Sequence, residues 1–175
     1  GLVAAAIRAT TAIAEVKPDA VVFVGTAGMY QGRRPDLALA GVVAARRLVL
    51  SPDGVATGDA YLPPALPATQ KTTVALRRIA TSTGLLVADV ACPLAITSRP
   101  ATVRRRGRTP GCDVENLEAF AVARAAAAAG LPFAAILGIS NAVGPSAHAA
   151  WKHNATRAAA AACRAAFDVI ERATG

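Results

Sequence analysis

The 175-residue chain is 54% hydrophobic, 17% charged and 4% aromatic, a composition that suits one α/β domain with a sizeable core and excludes a disordered chain. Its longest weakly polar stretch, residues 125–139, is interrupted by Gly130 and Pro132 and is too short for a bilayer-spanning helix; the N-terminus also lacks the pattern of a secretory signal, which points to the cytoplasm. Nineteen Lys and Arg against eleven Asp and Glu give a formal charge of +8, but the arginines fall in scattered pairs, and the one cluster, Arg104 to Arg108, has no interleaved aromatics to stack bases. That cluster reads as a solvated loop and argues against a nucleic-acid partner.

In chain order, residues 2–14 carry a helical apolar pattern that ends before Lys17-Pro18-Asp19. Residues 20–24 are a continuous β-branched run of the kind buried on both faces of a sheet, and Gly25-Thr26-Ala27-Gly28 then reads as a glycine turn. A second strand over 41–50 is interrupted by Arg46-Arg47 and stopped by Pro52-Asp53-Gly54. A proline-rich loop follows, then a helix over 69–83, a strand over 85–90, and the basic loop. Residues 113–129 read as a helix capped by Asp113 and stopped by Gly130-Leu131-Pro132. A buried strand over 133–140 ends at Asn141, and a helix over 147–173 closes the chain. Helices alternating with buried strands predict a single domain over 1–175, a three-layer α/β/α fold with a mostly parallel or mixed central sheet. Cys92, Cys112 and Cys163 form no C-x-x-C pair, so neither a disulfide framework nor a thiolate metal site is expected.

Three places stand out chemically. On the predicted helix Glu118 shares a face with Val114, Val122, Ala121 and Ala125, so it reads either as an inward carboxylate needing donors, such as a sugar diol, or as a partly exposed helix-edge residue of the sort expected of Glu115. Asn141 sits where a buried strand ends, the place at which open α/β sheets put their ligands; its amide can donate to a purine N7 and an exocyclic oxygen, although a loop-capping Asn is the commoner reading. The Gly25 to Gly28 segment offers backbone N–H groups and the Thr26 hydroxyl to an anion, a ribose oxygen or a water, or is simply a tight turn. His148 and His153 are too far out of helical phase for a metal pair and read as surface residues, and Trp151 reads as packing or a lid.

Together, Gly25-Thr26-Ala27-Gly28, Leu117-Glu118-Ala119-Phe120-Ala121-Val122-Ala123 and Gly138-Ile139-Ser140-Asn141 resemble the G-[ST]-A-G, M-E-[GA]-x-A-x-A and R-x-I-S-[DN] motifs of the nucleoside phosphorylase and nucleosidase superfamily, and Gly1 to Ala6 resembles its G-K-V-x-A-A. The departures are Leu117 for the usual Met, Leu137-Gly138 where Arg is frequent, and no Phe for base stacking after Ile96-Thr97. The resemblance implies that Glu118 binds the ribose hydroxyls, that Asn116 and Leu117 line the sugar and base, that Thr26, Ala27 and Gly28 face the ribose and the nucleophile, and that Asn141 binds the purine. Asn rather than Asp at position 141 resembles members acting on 6-oxopurine nucleosides, and Asn141 to Gly144 with Trp151 is most similar to the futalosine hydrolases of menaquinone synthesis, which release hypoxanthine. Phosphorylases of this superfamily commonly carry a phosphate-gripping Arg where this chain has Phe23, so hydrolysis is expected over phosphorolysis, with Arg33 or Arg34 as substitutes in the minor reading. The resemblance further implies a homo-oligomer, no metal or organic cofactor, and a water-activating carboxylate on a first strand upstream of the segment matching Gly1, so the domain is expected to lack its first strands. Asp59 and Asp89 do not fit that role by spacing. The alternatives are a phosphorylase, a methylthioadenosine-type nucleosidase, and a non-catalytic nucleoside-binding homologue.

Overall fold

The β-branched run does form a strand at the centre of the fold, but the strand does not stop at the glycines. In this computed structural model, which describes residues 1–108 and 111–175, strand β1 (Val21–Met29) runs through the whole G-T-A-G segment. It pairs in parallel with β6 (Phe133–Ala142) from Val21 opposite Phe133 to Met29 opposite Ala142. Neither Gly25 nor Gly28 has a positive φ, so a turn is not what demands glycine there. Close approach is: a Cβ on Gly25 would lie 2.9 Å from the Phe23 ring, and one on Gly28 would lie 2.8 Å from Asn141 Nδ2.

Strand β2 (Val42–Leu50) pairs in parallel with β4 (Leu86–Cys92) and antiparallel with the short β3 (Thr69–Lys71). A two-residue strand, β5 (Val114–Glu115), bridges β4 in parallel and β1 antiparallel. The order is β3-β2-β4-β5-β1-β6, and Val42–Ala44 also pairs with β6, so the sheet closes on itself from β6 back to β2. The sheet is therefore mixed. Alternation along the strands sorts the core into two faces. Phe23, Ala135, Leu137 and Ile139 pack with α1 (Leu2–Val16) and α5 (Ala119–Ala128); Val22, Val24 and Ile136 pack with α3 (Val74–Ser82) and α6 (Ala147–Thr174). Helix α6 rests directly on β6 at Gly138, where a Cβ would meet the Ala158 carbonyl oxygen at 2.1 Å.

Several boundaries differ from the sequence reading, each for a local reason. Thr69–Lys71 leaves the predicted helix to pair with β2, so α3 begins at Val74 after the Thr73 cap. The Arg46-Arg47 pair does not break β2: one extra residue at Arg46 shifts the register, a bulge that lets both guanidiniums reach the buried Asp89. The basic segment, expected as a loop, is helix α4 (Pro100–Arg108), and Arg105 donates to the Thr57 carbonyl of α2 (Asp53–Thr57); the side chains of Arg106 and Arg108 lie outside the described ones. Residues 113–118 are not helical, because Val114 and Glu115 are drawn into the sheet and α5 starts only at Ala119. Asp113 is no cap: its carboxylate accepts the Asp89 N–H and faces Arg34 at 3.6 Å. No helix among the described residues is long and apolar enough to cross a membrane.

Candidate nucleoside site

Where β1, β5 and β6 end together, a cavity of about 260 Å3 opens beneath the first turns of α6. Thr26, Ala27, Gly28, Asn116, Leu117, Glu118 and Asn141 all line it, so the three distant segments singled out in the sequence meet at one place. Ile96, Glu115, Ser140, Ala147, His148 and Trp151 complete the wall.

Asn141 owes its position to a bulge. Ala27 is opposite Ile139 but Gly28 is opposite Asn141, so Ser140 is the extra residue of β6. The Ser140 hydroxyl donates to Asn141 Oδ1 at 2.8 Å, and Asn141 Nδ2 donates to the Ala142 carbonyl at 2.9 Å. The amide oxygen is thereby committed to the protein, and the second N–H is the group the amide has to offer a ligand acceptor. Asn141 is only 7% exposed.

Asn116 ties β1 to α5. Its Oδ1 accepts the N–H groups of Glu118 and Ala119, two of the donors a helix start leaves without partners, while its Nδ2 donates to the Thr26 carbonyl at 2.9 Å. Such a cap contributes about 1 kcal/mol; it also corrects the assignment of that role to Asp113. Glu118 consequently stands at the start of α5, with no side-chain capping bond of its own, and is not a member of an apolar helical stripe, since Val114 lies in a strand. Its carboxylate is 36% exposed and reaches the cavity, with Oε1 3.0 Å from the Gly1 nitrogen.

The expectation for Glu115 is overturned. In place of an exposed helix-edge position it occupies β5, 5% exposed, and its carboxylate accepts from Tyr30 Oη at 2.8 Å, the Thr97 N–H at 3.0 Å and Thr97 Oγ1 at 2.5 Å. His148 is exposed as expected but lines the cavity, stacked on Trp151 with ring centroids 5.7 Å apart. The Trp151 indole N–H donates to Thr26 Oγ1 at 3.1 Å. The signal for His148 and Trp151 was their place within about two turns of the Gly144-Pro145 stop; Glu115 carried none beyond its adjacency to Asn116.

The Phosphorylase superfamily model matches residues 1–171. This chain belongs to that superfamily. Over 140 residues it is 31% identical to a futalosine hydrolase of Streptomyces coelicolor, covering 73% of this chain and 57% of the relative, so the chain spans little more than half of that protein's length. Among solved structures, a Helicobacter pylori MTAN mutant with 5'-methylthioadenosine in its active site superposes with a TM-score of 0.88 at 17% identity, over 98% of this chain and 77% of that one. The native futalosine hydrolase of Helicobacter pylori gives 0.88 and 17% over 98% and 76%. These two share the α/β fold described above.

Two further features bear on how a Phosphorylase superfamily member of this kind works. Phe23 sits where a phosphate-gripping Arg is expected in phosphorylases, and its ring packs over Gly25. Arg34 is engaged with Asp36, the Val87 carbonyl and Asp113, and Arg33 with the Gly111 carbonyl; neither lines the cavity. Asp89, 2% exposed, does not line the cavity either. Burial pushes its pKa up, but the hydrogen bonds from Arg46 and Arg47 outweigh that and hold it below the ordinary carboxylate value. Among the described residues no cluster of metal-ligating side chains occurs.

Proposed function

We propose that the cavity binds a purine nucleoside and that the protein hydrolyses its N-glycosidic bond, acting on a futalosine-like 6-oxopurine nucleoside and releasing hypoxanthine. The observation that carries this reading is the placement of Glu118 and Asn141 on the walls of one cavity. The Glu118 carboxylate accepts the ribose hydroxyls, a pair of donors matched to its two oxygens. The second Asn141 N–H donates to the purine edge that carries the acceptors N7 and O6, an orientation favoured by the Ser140 bond to Oδ1. As the C1'–N9 bond breaks, its electron pair passes to the base, where the Asn141 donor stabilises the developing charge. Water adds to the oxocarbenium-like carbon, and the proton it loses ends on the departing base, which leaves as neutral hypoxanthine. Phe23 supports water over phosphate as nucleophile, since an aromatic ring offers a phosphate oxygen no donor. The reading needs no cofactor, and the partner is a small nucleoside.

Completion of the site by a further strand belongs to the same proposal. Val21 N–H bonds to Pro132, so alternation turns the N–H and C=O groups of Val22 and Val24 the other way, where no strand among the described residues pairs with them. An apolar groove between α1 and this edge, lined by Ile13, Val16, Val21 and Phe23, ends at Glu118. A strand of the native polypeptide seated there brings its end to the ribose, the position expected for the water-activating carboxylate. Slow amide exchange at Val22 and Val24 in the native polypeptide supports this, and fast exchange contradicts it.

The test of the activity is base release from futalosine, inosine, methylthioadenosine and adenosine, with and without phosphate. Hypoxanthine released without phosphate supports the proposal; adenine released preferentially supports a methylthioadenosine-type nucleosidase, and phosphate-dependent release supports a phosphorylase.

A further inference from the structure

Gly28 is flanked by Asn141 on one neighbouring strand and by Glu115 on the other. Glu115 thus sits at the Asn141 end of the cavity, across β1 from the amide. A carboxylate only 5% exposed at that place needs strong donors, and the donors it has are instructive. Tyr30 follows the end of β1; Thr97, 3% exposed, belongs to the segment after β4 and gives both its N–H and its hydroxyl. The residue beside Thr97 is Ile96, which lines the cavity while remaining 47% exposed. Ile96 is therefore only about half covered by its neighbours. The two Thr97 bonds to Glu115 anchor the backbone and side chain of the residue next to it.

We propose that Glu115 is a positioning residue for the base-binding end of the cavity: its carboxylate clamps Thr97 and Tyr30 so that Ile96 stands as an apolar wall for the ligand's base. The proposal rests on the nucleoside reading of the cavity. Charge-assisted hydrogen bonds are the stronger class, and the clamp is specific about atoms. Gln at position 115 keeps one acceptor oxygen but presents an N–H2 where the carboxylate accepts from Tyr30 and Thr97 Oγ1. Val at position 97 keeps the shape and the backbone N–H while removing the hydroxyl, and Ser at position 97 restores it.

The test is inosine binding to the chain, read by the fluorescence of Trp151, the single tryptophan, at a temperature where each variant is fully folded. Glu115→Gln and Thr97→Val are expected to raise the inosine Kd about tenfold, with Thr97→Ser close to the parent. Equal Kd values in all folded variants overturn the proposal. If Glu115→Gln does not fold, Thr97→Val against Thr97→Ser decides on the same two outcomes. If the parent chain binds no inosine, the nucleoside reading fails separately. Amide exchange at Ile96 and Thr97 then decides the clamp: faster exchange in Thr97→Val than in Thr97→Ser supports it, and identical rates overturn it.

Discussion

Replacing Gly28 by Ala isolates the role of the glycine that sequence patterning reads as part of a turn. A Cβ there lies 2.8 Å from Asn141 Nδ2 and 2.9 Å from Val143 Cγ2, whereas ordinary contact begins at 3.4 Å. The backbone at Gly28 has no positive φ to strain, so the added methyl acts through these neighbours. Relief requires Asn141 to move by several tenths of an ångström, out of the geometry set by Ser140 Oγ and the Ala142 carbonyl. Losing one such bond, or misaligning the N–H proposed to meet the base, costs about 1 kcal/mol each. The expected result is an inosine Kd raised roughly 5- to 30-fold, the range for 1–2 kcal/mol, against a melting temperature lowered by only about 2–4 °C per kcal/mol for a domain of this size. In an Asn141→Ala background the substitution is expected to add little, because the residue it displaces is gone. Calorimetric titration with inosine on the four proteins of that cycle, with a melting curve for each, checks both numbers. A wild-type Kd for Gly28→Ala, or an undiminished effect without the Asn141 amide, refutes the argument.

Other consequences are as concrete. Gly138→Ala sets a methyl 2.1 Å from the Ala158 carbonyl oxygen in the α6 backbone, so it is expected to cost at least about 3 kcal/mol and to abolish soluble folded protein, read by circular dichroism. Burial pushes the Cys112 thiol up to about 12 and the Cys92 thiol higher still; at pH 8 a thiol reagent is therefore expected to modify exposed Cys163 alone in the folded protein and all three after unfolding. Asp89 has a folded pKa below its ordinary value of 3.8. Its contribution is thus fully present above that value and lost as pH falls through the lowered one, and Asp89→Asn is expected to flatten the acid limb of a denaturation series recorded below pH 4.

How much of this was written in the sequence divides along physical lines. Long-period signals read correctly: the apolar run of β6, the Gly130-Leu131-Pro132 stop and the long α6 all stand where patterning puts them. Short pairing did not read, because Thr69–Lys71 and Val114–Glu115 are strands only by virtue of partners distant in sequence. The consequence reached the site. With β5 taken as helix, Glu118 falls into a false apolar stripe and Glu115 onto a false exposed edge, although one lies at the mouth of the cavity and the other is buried in its wall. The bulges at Arg46 and Ser140 are equally invisible in one dimension, yet they decide that two arginines share Asp89 and that Asn141 faces Gly28. The seven residues proposed for the site, which line one cavity, were singled out through motif resemblance; composition and periodicity alone left Glu118 and Asn141 open.

The most direct measurement is base release by the native polypeptide from futalosine without phosphate, run beside Glu118→Gln and Asn141→Ala. The account predicts free hypoxanthine from the parent protein and a loss of about 2–3 kcal/mol of transition-state stabilisation, roughly 30- to 150-fold in kcat/KM, in Glu118→Gln, where a charged acceptor of the ribose hydroxyls is removed. Release that persists unchanged in Glu118→Gln, or no release from a folded protein that binds the nucleoside, contradicts it.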